Sequence, residues 1–251
     1  MKCMCTIGAI NFNQKLILFK NCDLKKDIIF NKPKRLKGKY NYLAFTRKGR
    51  PGLWAGINQF GLGIVAADTY TKKIYKTKPY TIYNIFKGYE KTISNHKNVD
   101  EALNFLKDFY KNKIKVVPDL VMVADKNKMA VLEFIPPNNF GIQIKKGGYL
   151  LRTNQFKILK GGRNKNQDPE SHVRFENALK KIKKSKSVNS VISLCRDHTS
   201  GPSKFSICRH GKNNEFKTQA SVIMTVGKTV KAYYIINKFP CQAKYQTIEL
   251  C

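Results

Sequence analysis

The chain has 251 residues and a formal net charge of +32, from 48 lysines and arginines against 16 acidic residues. With 42% hydrophobic and 11% aromatic residues it can bury one large core, and seven cysteines, an odd count without paired CxxC spacing, fit neither a disulfide scaffold nor a zinc ribbon. No apolar run reaches membrane-spanning length and the start lacks the pattern of a secretory signal, so the expectation is a single cytoplasmic domain without membrane contact.

In chain order, "TIGAINF" and "KLILFKN" flank Asn13 and Gln14 and predict a hairpin over the first twenty residues. The lysine- and arginine-rich stretch that follows, through Gly52, is expected to be loop. "LWAGI" and "LGIVAAD" flank the turn signal "NQFG" and predict a second hairpin. "TIYNIFKGYEKTI" has a weak helical pattern. "NVDEALNFLKDFYKN" has a strong one: Asn98 is its cap, Glu101 completes a capping box, and Ala102, Leu103, Leu106 and Phe109 or Tyr110 form one apolar face.

"DLVMVAD" and "MAVLEFI" predict strands on either side of "KNK", and "FGIQIKKGGYLLRTN" predicts a further strand pair with glycine at its turn. "SHVRFENALKKIKK" has helical spacing at Val173, Phe175, Leu179 and Ile182, and "SVNSVISLCRDH" restarts a helix from a Ser or Asn cap. After the break at "SGPSK", "ASVIMTV" and "VKAYYIIN" flank "GK", and "KYQTIEL" closes the sheet. Hairpins segregated from helices imply an α+β protein, with packed, mostly antiparallel sheets covered by helices.

The positive charge invites a nucleic-acid reading. Lysine recurs along the whole length, as in "KKIYKTK" and "KKIKKSK", which suits a solvated lysine surface better than one basic patch. Non-specific association with RNA at low salt is expected from charge alone.

The start of the chain, "MKCMCTIGAI", poses the chemical question. A thiol is a nucleophile only as thiolate, so it needs a base or a positive neighbour. A cysteine at a chain terminus carries its own base, because the freed α-amino group has a reference pKa of about 7.7–8.0. Cutting the bond before Cys5 would put thiol and amine on one residue.

"CTIGAINFNQKLILFKNCD" resembles the start of the N-terminal nucleophile (Ntn) hydrolases of the choloylglycine hydrolase and penicillin acyltransferase (isopenicillin N acyltransferase-like) families. There a Cys-Thr strand and its hairpin partner end in Arg-Asn-x-Asp. The resemblance puts Cys5 on the nucleophile and Asp23 on the aspartate that orients its amino group, with Lys20 where the bile-salt hydrolases have arginine. "GINQFGLGIVAAD" is similar to the Gly-x-Asn-Glu-x-Gly-Leu hairpin, with Asp68 where those hydrolases have an asparagine near the oxyanion hole. "LLRTNQF" implies Asn154 as the oxyanion-hole asparagine and "SHVRFENAL" implies Arg174 as the active-site arginine. "SICRH", "TQASVI" and "KFPCQAKY" look more like the acyltransferase branch.

These roles are chemically coherent. Thiolate attack on an amide makes an oxyanion, which Asn154 and a backbone N–H near Asp68 or Thr69 would stabilise. Asp23 would hold the α-ammonium, and Arg174 would lower the thiol pKa. Lys20 lacks the fork of an arginine, and a carboxylate at Asp68 would oppose an oxyanion, so the backbone of Asp68 is expected to matter. Cys3 precedes Met4 rather than Thr6, and Lys2 is a poor context for removal of Met1. Cys5 is therefore the expected nucleophile, residues 1–4 a short propeptide removed by self-cleavage, and residues 5–251 one domain.

Cys195 and Cys241 read as small, largely buried side chains. His96, His172, His198 and His210 have no paired metal spacing, and "CRH" at Cys208 to His210 is not a recognisable ligand motif, so the histidines read as structural or surface and no metal or cofactor is expected. A GxSxG elbow and a phosphate-binding glycine loop are missing. The expected architecture is a four-layer αββα sandwich, and the expected activity is cleavage of a small-molecule linear amide through a thioester. Two rivals are acyl transfer to an amine and a non-catalytic, basic RNA-binding protein on the same fold. Loops at 32–52, 69–79 and 136–140 are expected to choose the substrate.

Overall fold

The computed structural model describes residues 3–69, 71, 79–113, 117–162, 165–199 and 201–250. Met1 and Lys2 of the expected propeptide, and most of the 69–79 loop, lie outside the described residues.

The first hairpin is β1 (Cys3–Phe12) and β2 (Lys15–Leu24), in register from Cys3 opposite Leu24 to Phe12 opposite Lys15. Asn13 and Gln14 have φ of 50° and 59°, the left-handed conformation in which a two-residue turn matches the twist of its strands. The basic stretch that follows is not all loop. It holds β3 (Lys34–Leu36) and β4 (Tyr42–Arg47), ahead of β5 (Arg50–Asn58) and β6 (Gly63–Asp68). Strand β4 is buried on both faces, Leu43 and Phe45 on one and Tyr42 and Ala44 on the other, so "YLAF" lacks the polar alternation that marks a half-exposed strand.

Both expected helices form, α1 (Pro79–Asn95) and α2 (Val99–Lys113). Asn98 Oδ1 accepts the Glu101 N–H at 3.0 Å, and Glu101 reaches back to the N–H of Lys97 at 2.9 Å, one residue before the expected partner. Tyr110 rather than Phe109 completes the buried stripe of Ala102, Leu103 and Leu106.

Next come β7 (Asp119–Ala124), β8 (Met129–Ile135), β9 (Asn139–Lys145) and β10 (Gly148–Arg152). The last two are strands, as expected, but not a pair: β9 joins β8 and β10 joins β1, in different sheets. The glycines at 147–148 mark a crossing between layers, and Gly148 makes it at φ 80°.

Helices α3 (Pro169–Ile182) and α4 (Val188–Cys195) precede β11 (Lys217–Val226), β12 (Val230–Ile236) and β13 (Gln246–Leu250). The most buried stripe of α3 is Ser171, Arg174, Ala178 and Ile182, whereas Val173, Phe175 and Leu179 are half-buried. An arginine at its centre hid that stripe from an apolar-periodicity reading.

The strands form a six-stranded sheet, β10-β1-β2-β11-β12-β13, and a seven-stranded sheet, β3 to β9 in order; every pair is antiparallel. One apolar cluster fills the space between the sheets, from Ile7 and Leu18 to Trp54 and Met122. A second lies beneath α1 and α2, and a third beneath α3 and α4. The fold is therefore the αββα sandwich, with each sheet buried on both faces. No helix among the described residues is long and apolar enough to cross a membrane.

Candidate active site

Strand β2 is paired on both edges, with β1 and with β11. This register sets Cys5 opposite Cys22, Met4 opposite Asp23, and Thr218 of β11 on the other side of Asp23. Because side chains alternate along a strand, Cys5 and Cys22 join the core between the sheets while Asp23 faces the helix layer. Cys5 and Asp23 are both fully buried.

Two side chains converge on the Cys5 backbone. Asn154, in the loop after β10, accepts the Cys5 backbone N–H through Oδ1 at 3.2 Å. Arg174, on the buried stripe of α3, donates to the Cys5 carbonyl at 3.0 Å, to Thr6 Oγ1 at 3.1 Å and to Asn154 Oδ1 at 2.8 Å. One guanidinium thus fixes both the strand and the amide. The N–H of Asn154 donates to Ser171 Oγ, and Glu133 accepts the N–H groups of Lys157, Ile158 and Leu159, so the loop is held at both ends.

Asp23 accepts the Thr218 hydroxyl at 2.7 Å through Oδ1. Its Oδ2 lies 3.7 Å from Arg174 Nη1 and 3.9 Å from Arg209 Nη1, with no hydrogen-bond partner among the described residues. Burial pushes the carboxyl up from its ordinary 3.8 to about 6, against the pull of both arginines and of Thr218. Burial, and then the neighbouring Arg209, bring Arg174 down to about 10, so it remains a cation at neutral pH. A negative charge on Cys5 acts on Arg174 in the opposite direction.

The residues expected around the oxyanion are placed differently from one another. Asn154 Nδ2 donates to the backbone carbonyl of Asp68 at 2.6 Å, so the Asp68 backbone does engage the site, as an acceptor that orients the amide. Thr69 is buried, and its hydroxyl has no hydrogen-bond partner among the described residues. Lys20 reaches across to the other sheet, donating to the carbonyls of Ala66 at 2.7 Å and Trp54 at 3.3 Å. Its ammonium also lies 5.5 Å from the Trp54 ring centroid, so it ties the sheets together beside the strand that ends at Asp68.

Arg209, Thr218, Ser171 and Glu170 were not singled out in the sequence. Arg209 is fully buried and pairs with Glu170 as well as facing Asp23. It lies within "SICRH" and Thr218 within "TQASVI", segments whose resemblance was legible although the residues that matter in them were not.

A relationship to known proteins matches this geometry. The sequence model of the acyl-coenzyme A:6-aminopenicillanic acid acyl-transferase family matches residues 13–238, beginning after Cys5. No curated protein matches the sequence. Among solved structures, a cysteine-to-alanine mutant of conjugated bile acid hydrolase from Clostridium perfringens superimposes with TM-score 0.58 at 17% identity, covering 98% of this chain and 92% of that one. An arginine-to-leucine variant of that hydrolase gives TM-score 0.58 at 17% identity over 97% and 92% of the two chains. The Caenorhabditis elegans orthologue of N-acylethanolamine-hydrolyzing acid amidase gives TM-score 0.58 at 14% identity, covering 98% and 100%. With the family model spanning most of the sequence and an Ntn-hydrolase sandwich in the structure, this chain belongs to the acyl-coenzyme A:6-aminopenicillanic acid acyl-transferase family.

Proposed function

We propose that this chain is an N-terminal cysteine amidohydrolase that cleaves a linear, non-peptide amide through a thioester, after loss of residues 1–4. The observation that carries the reading is the convergence of Asn154 and Arg174 on the Cys5 backbone, with a buried carboxylate on the neighbouring strand. A structural cysteine has no need of a buried amide accepting its backbone N–H and a buried guanidinium holding its carbonyl.

In the maturation step the Cys5 thiol attacks the Met4 carbonyl carbon. The Met4–Cys5 C–N bond breaks as the nitrogen takes a proton, leaving residues 1–4 as a thioester on Cys5. Water hydrolyses that ester, releasing the tetrapeptide as an acid and freeing thiol and α-amine on one residue. In turnover the amine takes the thiol proton, the thiolate adds to the substrate amide carbonyl, and an Asn154 side-chain N–H donates to the oxyanion. The α-ammonium returns its proton to the leaving amine. Water then attacks the thioester and releases the carboxylic acid. Asp23 holds the ammonium, and Arg174 orients Asn154 and favours the thiolate.

Acyl transfer is the second reading, favoured by the transferase activity in the family's own name. It differs only in the last step, where an amine replaces water.

Intact mass before and after thiol alkylation, with Cys5→Ala as control, tests the proposal. Wild-type protein lacking residues 1–4, a variant retaining them and fastest alkylation at Cys5 are expected. Retention of all four residues with an inert Cys5 would overturn the reading and favour a binding protein. Adding amine acceptors to an amide-cleavage assay then separates the two reactions, because a transferase forms a new amide in place of free acid.

A further inference from the structure

Around the segment that carries Arg209, the fold assembles a group that linear spacing hides. His198 follows α4, Cys208 and His210 bracket Arg209 in the loop before β11, and Cys241 lies in the turn after β12. One ligand atom from each of the four falls within 4.8 Å of every other. Of the four histidines, His198 and His210 meet in this cluster. The intervening stretches are 9, 1 and 30 residues, so no short motif announces the cluster.

The dimensions suit a metal ion. Zinc bonds of about 2.0–2.3 Å at tetrahedral angles separate the ligand atoms by about 3.3–3.8 Å. His210 Nε2 lies 3.3 Å from Cys241 Sγ and 3.7 Å from Cys208 Sγ, already at those edges. Two imidazoles and two thiols are the donor set of structural zinc, and the hard, oxygen-seeking cations are disfavoured by it. Among the described residues, Cys208 and Cys241 are both free thiols, and His198 Nε2 is buried without a hydrogen-bond partner.

The ligands are also held in place. The His210 ring stacks on Phe239 at 4.1 Å, the Cys208 N–H donates to the Asp197 carbonyl, the His210 N–H donates to the Ser203 carbonyl, and the Gln242 N–H closes the turn at Cys241 on Phe239. Such outer partners fix ring orientation and loop geometry before a metal arrives.

We propose that His198, Cys208, His210 and Cys241 form a tetrahedral Cys2His2 site for a zinc-class divalent ion. Binding exchanges two thiol protons for one divalent cation, with no change of oxidation state. Two thiolates neutralise the ion, so it adds no net charge to a strongly basic protein. The ion would pin the α4–β11 loop to the turn after β12, with Arg209 between two of its ligands.

The test uses the full chain purified without a histidine tag. Elemental analysis is expected to find about one zinc per chain, and cobalt exchanged into the site should give the intense visible bands of tetrahedral cobalt with thiolate charge transfer. Cys208→Ser and Cys241→Ser should each reduce retained zinc to about a tenth or less, while Cys5→Ala keeps it whether or not Cys5 is catalytic. His198→Gln and His210→Gln, which keep both thiols, give the same loss if a serine variant fails to fold. A chelator should lower the melting temperature of wild type, and added zinc should restore it in a concentration-dependent way. Wild type without stoichiometric zinc after reconstitution, zinc retained by the double serine variant, octahedral cobalt spectra, or a Cys208–Cys241 disulfide in protein kept reduced would each overturn the proposal.

Discussion

Each half of the sandwich buries an aspartate of one of its strands against its helix layer, and the two are satisfied in opposite ways. Asp119 lies on β7 beneath α1 and α2, where the hydroxyls of Tyr89 and Tyr110 both donate to Oδ2 and the Leu120 N–H donates to Oδ1. Asp23 lies on β2 beneath α3, where Oδ1 takes one hydroxyl and Oδ2 faces two guanidiniums without a hydrogen bond. Burial raises the pKa of both. A carboxylate saturated by hydrogen bonds from two helices and its own strand is an architectural joint. One that keeps an oxygen open among cations, next to the residue that precedes Cys5, has capacity for one more donor, which in the proposed mechanism is the freed α-amine.

Exchanging each acid for its amide breaks the comparison most sharply. Asp23→Asn is expected to lower amide turnover, and precursor cleavage with it, by about 10²-fold or more, because the amide cannot hold an ammonium through charge. Asp119→Asn should leave turnover of the folded protein within about threefold and instead cost about 1–3 kcal/mol in chemical denaturation, as one tyrosine hydroxyl loses its acceptor. Similar effects on turnover from the two variants would remove the distinction between them.

Next in size, Arg174→Lys should lower kcat/KM by about 10–100-fold. A lysine cannot hold the Cys5 carbonyl and the Asn154 amide from one planar group. Full activity with lysine would mean that charge alone suffices.

The titration of Asp23 gives the third contrast. In the proposed mechanism turnover requires the carboxylate, so kcat/KM should rise with pH through an acid limb at or below about 6, the freed ammonium lowering it further. Removing the Thr218 hydroxyl bond, which lowers this pKa, moves the limb upward in Thr218→Val. Asp119→Asn should leave the limb where it is. The stability consequence has the opposite sense: with the folded value raised above 3.8, the contribution of Asp23 is complete below that pH and lost as pH climbs through about 6. An acid limb unmoved in Thr218→Val would assign it to another group.

The smallest expected effect is that of Tyr110→Phe, about 1 kcal/mol of stability with kcat/KM unchanged. A loss of activity there would extend the site beyond the half that holds Asp23.

Much of this was legible because hairpins and their turns are local. The β1–β2 pair followed from Asn13-Gln14 between two apolar runs, and α2 followed from Asn98, Glu101 and its stripe. Where both faces of an element are buried, the local signal fails: β4 read as loop, and the buried stripe of α3 was displaced by an arginine. Strand partners were legible only across short turns. For β9 and β10, the free edges of β8 and β1 decided the pairing.

The sequence carried the order of most elements and the class of packed sheets covered by helices, and through family resemblance a candidate set of Cys5, Asp23, Asn154 and Arg174, because each lies in a short segment whose pattern is continuous along the chain. Only the tertiary structure decided how these groups meet: Arg174 across to the Cys5 carbonyl, Asn154 Nδ2 to the Asp68 carbonyl, Lys20 to the opposite sheet, and Arg209 and Thr218 to Asp23. It alone gathered His198, Cys208, His210 and Cys241. The reason is distance along the chain, since contacts between residues far apart in sequence are set by strand register and layer packing, which no window of neighbouring residues records.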